Sequence, residues 1–285
     1  MYIDLHNHLA GWSPDAAQSW EELSAGMARA GLFGFGISDH YDLGSFTSSG
    51  REWTFDVDKY LETFRPYRRS LAEARADQAK GIKQPAFAIG IEIGYRQDYL
   101  DQIRAVMQKD FDYCLCSLHE IYGRDPYEDK DPYQDGLLPL YRNYLATISE
   151  ALTALPEMSV LAHYDFISRY APQDKSKMAF KGLEGEFEDI FQKLIATDIA
   201  LEINTGTVAA LIGKGYSLEE AMPDRDILLR YLDMGGRLFT LTTDSHSVEK
   251  HLRFIPETLR YLASLGITQL CHFEGRKLDL YDING

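Results

Sequence analysis

The sequence predicts a closed α/β barrel in which parallel strands alternate with crossover helices around one ring. Three observations carry this. Short runs rich in Val, Ile, Phe and Leu alternate with longer segments of helical period, the pattern of strands linked by packed helices. Seven or eight such units fit within 285 residues, which suits one barrel-sized domain, residues 1–285, better than two smaller ones. No Pro-, Ser- or Gly-rich linker and no internal repeat of about 20 to 50 residues divides the chain. An open doubly wound sheet is the alternative arrangement of the same units.

In chain order, the strands are expected at residues 2–5 (YIDL), 33–38 (FGFGIS), 86–91 (AFAIGI), 113–118 (YCLCSL), 159–162 (SVLA), 200–203 (ALEI) and 238–242 (LFTLT), with a candidate eighth at 269–272 (QLCH). Each is short and apolar, as strands covered by helices on one side and packed into a barrel on the other must be. Between them, helical periodicity predicts helices over 19–30, 57–79, 99–108, 138–155, 183–197, 224–234 and 248–265. Two polar segments, 43–55 and 122–136, read as insertions after strands, the second containing DPYEDKDPYQDG. Loops in this position border the open end of a barrel, so each is either a lid or a solvated loop.

Composition narrows the function. With 44 acidic against 29 basic residues the formal net charge is −15, which repels nucleic-acid backbones and anionic membranes. An anionic small substrate stays compatible with that charge, because bound divalent cations reverse the local field. The three cysteines, Cys114, Cys116 and Cys271, lack zinc-finger spacing and read as buried thiols of a reducing cytoplasm. The chain opens directly into a strand, and no apolar stretch approaches the roughly 18 residues of a membrane span. Export and membrane insertion are therefore not expected.

The strand ends are the most informative positions. His6 and His8 follow the first strand, Asp39 and His40 the second, Glu92 the third, His119 the fourth, His163 the fifth, Glu202 the sixth, and Asp244 with His246 the seventh. Residues two apart in extended chain face the same side, so each His-x-His or Asp-x-His pair can address one centre. In a parallel barrel all these exits surround a single rim. Imidazoles and carboxylates are natural ligands for zinc, manganese or iron, and this many suggest more than one ion. One His-x-His alone reads equally as packing, and Glu92 alone as a buried salt bridge. The same placement on six or seven strands is what points to metal. His251 and His272 fall outside the pattern and read as structural or surface residues. No Gly-x-Ser-x-Gly elbow, P-loop or Gly-x-Gly-x-x-Gly fingerprint is present, which disfavours serine nucleophiles and nucleotide cofactors.

Seven segments, DLHNH (4–8), GISDH (36–40), GIEIGY (90–95), CSLHE (116–120), LAHYDFISRY (161–170), LEINTGTV (201–208) and TTDSH (242–246), together resemble the polymerase-and-histidinol-phosphatase (PHP) superfamily, in particular its histidinol-phosphatase-like branch. The resemblance implies a distorted seven-stranded (β/α)7 TIM-like barrel holding two or three divalent ions (zinc, manganese or iron). It implies that His6, His8, Glu92 and Asp244 hold one ion, that Glu92 bridges to a second held with His119 and His163, and that Asp15, His40 and His246 hold a third. Read from the sequence alone, Asp15 in SPDAAQSW looks like a helix cap.

By the same resemblance Arg169 is the phosphate contact, since a guanidinium offers a bidentate fork, and Glu202 and Asn204 support ligands or contact the amino end of a substrate. Asp244, His246 and His40 are the candidates for catalytic proton transfer. The implied reaction is hydrolysis of a small phosphate ester, L-histidinol phosphate, by a metal-activated hydroxide. One departure weakens the substrate assignment: where family members carry a Gly-Leu-Arg-like run, this chain reads GTVAALIGKG, leaving Lys214 as the nearest replacement. A phosphoesterase for nucleotides or other esters, an amidohydrolase-like hydrolase and a non-catalytic metal-binding module are the alternatives. The expected partner is a small phosphorylated substrate, with neither nucleic acid nor membrane; the sequence does not set the oligomeric state.

Overall fold

The apolar runs become strands because each can be covered completely. In the computed structural model, which describes residues 2–76 and 85–283, the strands are β1 Ile3–Asp4, β2 Gly34–Ile37, β3 His40–Phe46, β4 Glu52–Trp53, β5 Ala86–Gly94, β6 Tyr113–Ser117, β7 Val160–Leu161, β8 Ala200–Asn204 and β9 Phe239–Thr242. Seven of them run parallel in the order β1-β2-β5-β6-β7-β8-β9. The ring nearly closes between its ends: the Ser245 N–H donates to the His6 carbonyl at 3.2 Å and the His8 N–H to the Ser245 carbonyl at 2.9 Å. The barrel of the sequence reading therefore forms, with seven strands, and the open sheet does not.

The helices are α1 Trp20–Arg29, α2 Val57–Ala76, α3 Leu100–Met107, α4 Leu137–Ala154, α5 Phe166–Tyr170, α6 Glu184–Thr197, α7 Thr205–Gly213, α8 Leu218–Ala221, α9 Arg225–Asp233 and α10 Ile255–Ser264. Residues 77–79 of the expected second helix lie outside the described residues. The start of α1 is set by Ser19 and Glu22, which form a capping box. The expected helix over 248–265 is broken: Leu252 and Phe254 take φ of 56° and 61°, left-handed values that a helix cannot continue through, so only a short 3-10 turn precedes α10.

Three expectations are corrected. The candidate eighth strand is β10, Gln269–Glu274, which pairs antiparallel with β11, Lys277–Asp282, in a separate two-stranded sheet. The two loop residues between them, Gly275 and Arg276, both have positive φ, as a tight hairpin requires. Segment 43–55 is ordered structure rather than a plain loop, since β3 pairs antiparallel with β4 while its first residues pair parallel with β5, His40 opposite Glu92. Segment 122–136 buries Pro132 and Tyr133 in a 3-10 turn, and the Tyr133 hydroxyl donates to the Ile167 carbonyl at 2.7 Å; it is not a solvated acidic loop throughout.

Candidate metal centre

All seven parallel strands end at one rim, and β5 carries its most important side chain inward there. Glu92 is fully buried and stands at the middle of the histidines. Its Oε1 lies 2.8 Å from His163 Nε2, 3.2 Å from His119 Nε2 and 3.3 Å from His6 Nε2. Its Oε2 lies 2.7 Å from His40 Nδ1 and 3.6 Å from His8 Nε2. Asp244, in the left-handed region at φ 53°, brings Oδ1 within 3.2 Å of His8 Nε2 and 3.5 Å of His6 Nε2. At the outer edge Asp15 Oδ2 meets His246 Nε2 at 3.0 Å, and Asp15 Oδ1 is 3.7 Å from His40 Nε2. Asp15 thus joins the rim, and the cap of α1 is Ser19 instead.

These side chains form four overlapping triads whose donor atoms all approach one another: His8, His40 and His246; His6, His8 and Asp244; His6, Glu92 and His163; His40, Glu92 and His119. His6 Nε2, His40 Nδ1 and Glu92 Oε2 are buried yet make no hydrogen bond. Such orphans are costly unless a cation satisfies them, and a mixed imidazole and carboxylate set is the donor chemistry that divalent metal ions take.

The electrostatics agree with a centre built for positive charge. Burial alone would raise Glu92, but His6, His119 and His40 outweigh it and hold its carboxyl well below the usual range. Burial opposes protonation of His6 as well, yet Glu202, Glu92 and Asp244 lift its pKa well above the ordinary value. His8, desolvated and facing His246 and His40, is pushed well down. For Asp244, burial is overcome by His6, His8 and Arg169.

A second layer orients the imidazoles. His6 Nδ1 faces Glu202 Oε1 at 2.7 Å, His119 Nδ1 faces Asp42 Oδ2 at 3.0 Å, and His8 Nδ1 faces Ser13 Oγ at 3.1 Å. Ser13 and the Leu9 N–H both donate to Asp39, and burial raises the Asp39 carboxyl to about 6 despite those bonds. Above the centre opens a cavity of about 890 Å³ lined by Asp15, His40, Trp53, His119, Arg169 and His246 among others. Arg169 donates through Nη1 to Asp244 Oδ2 and through Nε to Thr207 Oγ1, both at 2.8 Å, while its Nη2 is buried without a partner.

The PHP domain model matches residues 4–206. The chain belongs to the PHP domain family. It is 28% identical over 247 residues, 86% of this chain and 87% of the relative, to a protein of Clostridium acetobutylicum named "Probable histidinol-phosphatase". It is 25% identical over 280 residues, 97% of this chain and 96% of the relative, to the histidinol-phosphatase of Lactococcus lactis. The fold is shared with the crystal structure of histidinol phosphate phosphatase from Lactococcus lactis complexed with zinc, L-histidinol and phosphate, at a TM-score of 0.79 and 22% identity over 98% of each chain.

Within this PHP domain the structure brings His6, His8, Asp15, His40, Glu92, His119, His163, Asp244 and His246 to one centre. Three other residues named from the sequence are absent from the cavity lining. Glu202 lies buried beneath His6 and outside the cavity, accepting from the His163 N–H, Thr242 and Asn204. Asn204 caps α7 through Gly206 N, so both fit the ligand-supporting role rather than substrate contact. The Lys214 ammonium donates to the Ser168 and Ala171 carbonyls and to Ser176 Oγ. His251 is structural, its Nε2 2.6 Å from Gln18 Oε1. Asp42 was not singled out by the sequence; its one signal is the spacing of two from His40 along an extended strand.

Proposed function

We propose that this PHP domain, one domain spanning the chain, is a metal-dependent phosphomonoesterase of the histidinol-phosphatase type, hydrolysing L-histidinol phosphate to L-histidinol and phosphate in the cytoplasm. The observation that carries the reading is Glu92: one buried carboxylate within 3.6 Å of five imidazoles, three of which, His40, His119 and His163, line a cavity that also holds an arginine with a free donor. The likeness to named histidinol-phosphatases over nearly all of both chains supports the substrate.

In this reading His6, His8, Glu92 and Asp244 hold one ion, Glu92 with His119 and His163 a second, and Asp15, His40 and His246 a third, the ions being zinc, manganese or iron. When bound, such ions polarise phosphate oxygens and lower the pKa of a water from about 15.7 to about 7, so that it can attack at neutral pH. Arg169 keeps Nη2 for an oxygen of the substrate phosphate, while its bond to Asp244 holds the guanidinium in place. The departing alkoxide needs a proton, and His246, His40 and Asp244 are the groups at the cavity wall able to carry one. His246 Nδ1 is engaged with the Asp244 carbonyl at 2.9 Å, so its Nε2, 3.0 Å from Asp15 Oδ2, is the nitrogen that would hold the third ion, and it can carry the proton only where that ion is absent. The unpaired buried thiols suit a reducing compartment.

The test is phosphate release from L-histidinol phosphate by protein loaded separately with zinc, manganese or iron, beside sugar phosphates, nucleotides and an aryl phosphate. Preference for histidinol phosphate, lost together with bound metal in Glu92→Ala, is the expected outcome. Turnover of other esters alone would keep the metal chemistry and discard the substrate; full activity of Glu92→Ala would discard both.

A further inference from the structure

We propose that Asp42 is a positioning residue of the metal centre, whose carboxylate fixes the ring and tautomer of His119 so that Nε2 is the nitrogen presented to Glu92 and the ion. The proposal rests on the reading of His119 as a ligand. Asp42 is buried, with Oδ2 3.0 Å from His119 Nδ1. A carboxylate at that distance accepts the Nδ1 proton, so Nε2, 3.2 Å from Glu92 Oε1, is the nitrogen that an ion shared with Glu92 takes once it displaces the Nε2 proton, and the ring is held in the orientation that a metal uses. His6 is held in the same way, Glu202 on Nδ1 and Glu92 on Nε2.

The backbone is arranged to place this carboxylate. β3 pairs parallel with β5 at His40–Glu92 and Tyr41–Ile93, which sets Asp42 beside Gly94. A Cβ on Gly94 would stand 1.9 Å from Asp42 Oδ1, so only glycine leaves room for the side chain. Across the hairpin Asp42 pairs with Trp53, whose ring meets His40 edge-on at 5.3 Å between centroids. The β3–β4 hairpin therefore braces two histidines of the centre from one cross-strand pair.

Zinc affinity of the full chain, measured by competition with a chromophoric chelator, tests this in wild type, Asp42→Ala, Asp42→Asn, Gly94→Ala and His119→Ala, with circular dichroism and thermal unfolding of each. Asp42→Ala is expected to weaken one zinc by about 10- to 100-fold and leave the others unchanged. Asp42→Asn should lose less, because its amide oxygen still accepts from Nδ1. Gly94→Ala, which keeps Asp42 but displaces its carboxylate, should weaken the same ion. The cobalt-substituted protein should report a changed visible spectrum for that ion alone. Wild-type affinity in Asp42→Ala and Gly94→Ala, beside loss of an ion in His119→Ala, overturns the proposal and leaves the functional reading standing. Equal weakening of every ion with a lowered unfolding temperature assigns Asp42 a merely structural role and also overturns it. Full zinc affinity in His119→Ala removes both the ligand assignment and the proposal.

Discussion

Arg169 is anchored at two nitrogens and free at the third: Nη1 on Asp244, Nε on Thr207, and Nη2 buried without a partner. Burial disfavours its charge, yet Asp244 and the neighbouring acidic groups keep its pKa above the ordinary arginine value, so it meets an anion as a permanent cation. Removing one charged hydrogen bond costs about 1.5–3 kcal/mol, and Arg169→Ala is expected to lower kcat/KM about 10- to 100-fold with metal content unchanged. Arg169→Lys should recover only part, because lysine restores the charge without the fork. Unaltered kcat/KM in steady-state phosphate release would remove Arg169 from substrate binding. At this scale the sequence is legible where chemistry repeats. Histidines and carboxylates just beyond successive apolar runs announce a rim, and Glu92 inside AIGIEIGY announces itself by being charged among apolar neighbours. Asp15 and Asp42 carry no such signal: the first resembles a cap, and the second acquires meaning only from His119, 77 residues away.

The barrel interior shows what the strands themselves must supply. Tyr113 of β6 is buried, and its hydroxyl donates to the Ile37 carbonyl at 2.9 Å. The side chain crosses β2 and β5 where Gly36 and Gly90 lie; a Cβ on Gly36 would stand 2.2 Å from its hydroxyl, and one on Gly90 2.2 Å from its ring. Gly90→Ala is thus an overpacking change, expected to cost about 1–3 kcal/mol and to lower the denaturant midpoint. An unchanged midpoint would mean that Tyr113 can move aside. The parallel strands were readable because burial on both sides demands continuous apolar runs, and those runs have few other uses. The β3–β4 hairpin was not, because HYDLGSF mixes polar and apolar residues and its pairing with β5 is set by register rather than composition. Helices α5 and α8, of five and four residues, offer too few turns for a helical period to stand out, α7, TGTVAALIG, has no charged face to set against an apolar one, and the eighth apolar run could not reveal that its partner would be the segment after it.

Across the whole molecule the centre concentrates carboxylates and imidazoles while the chain carries a net charge of −15, so cations are drawn toward it and anionic esters depend on bound cations for their welcome. No described helix is long and apolar enough to cross a membrane. The three thiols are distributed through the same core: Cys114 and Cys116 on β6 and Cys271 on β10, all buried and unpaired. Burial pushes each from an ordinary value of 9.0 up to about 12. Between those two values the unfolded chain has released thiol protons that the folded chain retains, so the folded state binds more protons and stability must fall as pH rises. Each thiol contributes about 1.4 kcal/mol per pH unit in that window; below about pH 9 both states are protonated and the effect vanishes. Two measurements follow from this one cause. An alkylating reagent at pH 8 should leave all three thiols unmodified in the native protein and modify all three in denaturant. Chemical unfolding at pH 8 and pH 10 should show a loss of stability that shrinks when the three cysteines are replaced by alanine, the difference isolating the thiols from the tyrosines and from general charge repulsion. Equal pH sensitivity in the two proteins would mean that the thiols ionise as readily folded as unfolded, and that the barrel admits water where its core is closed.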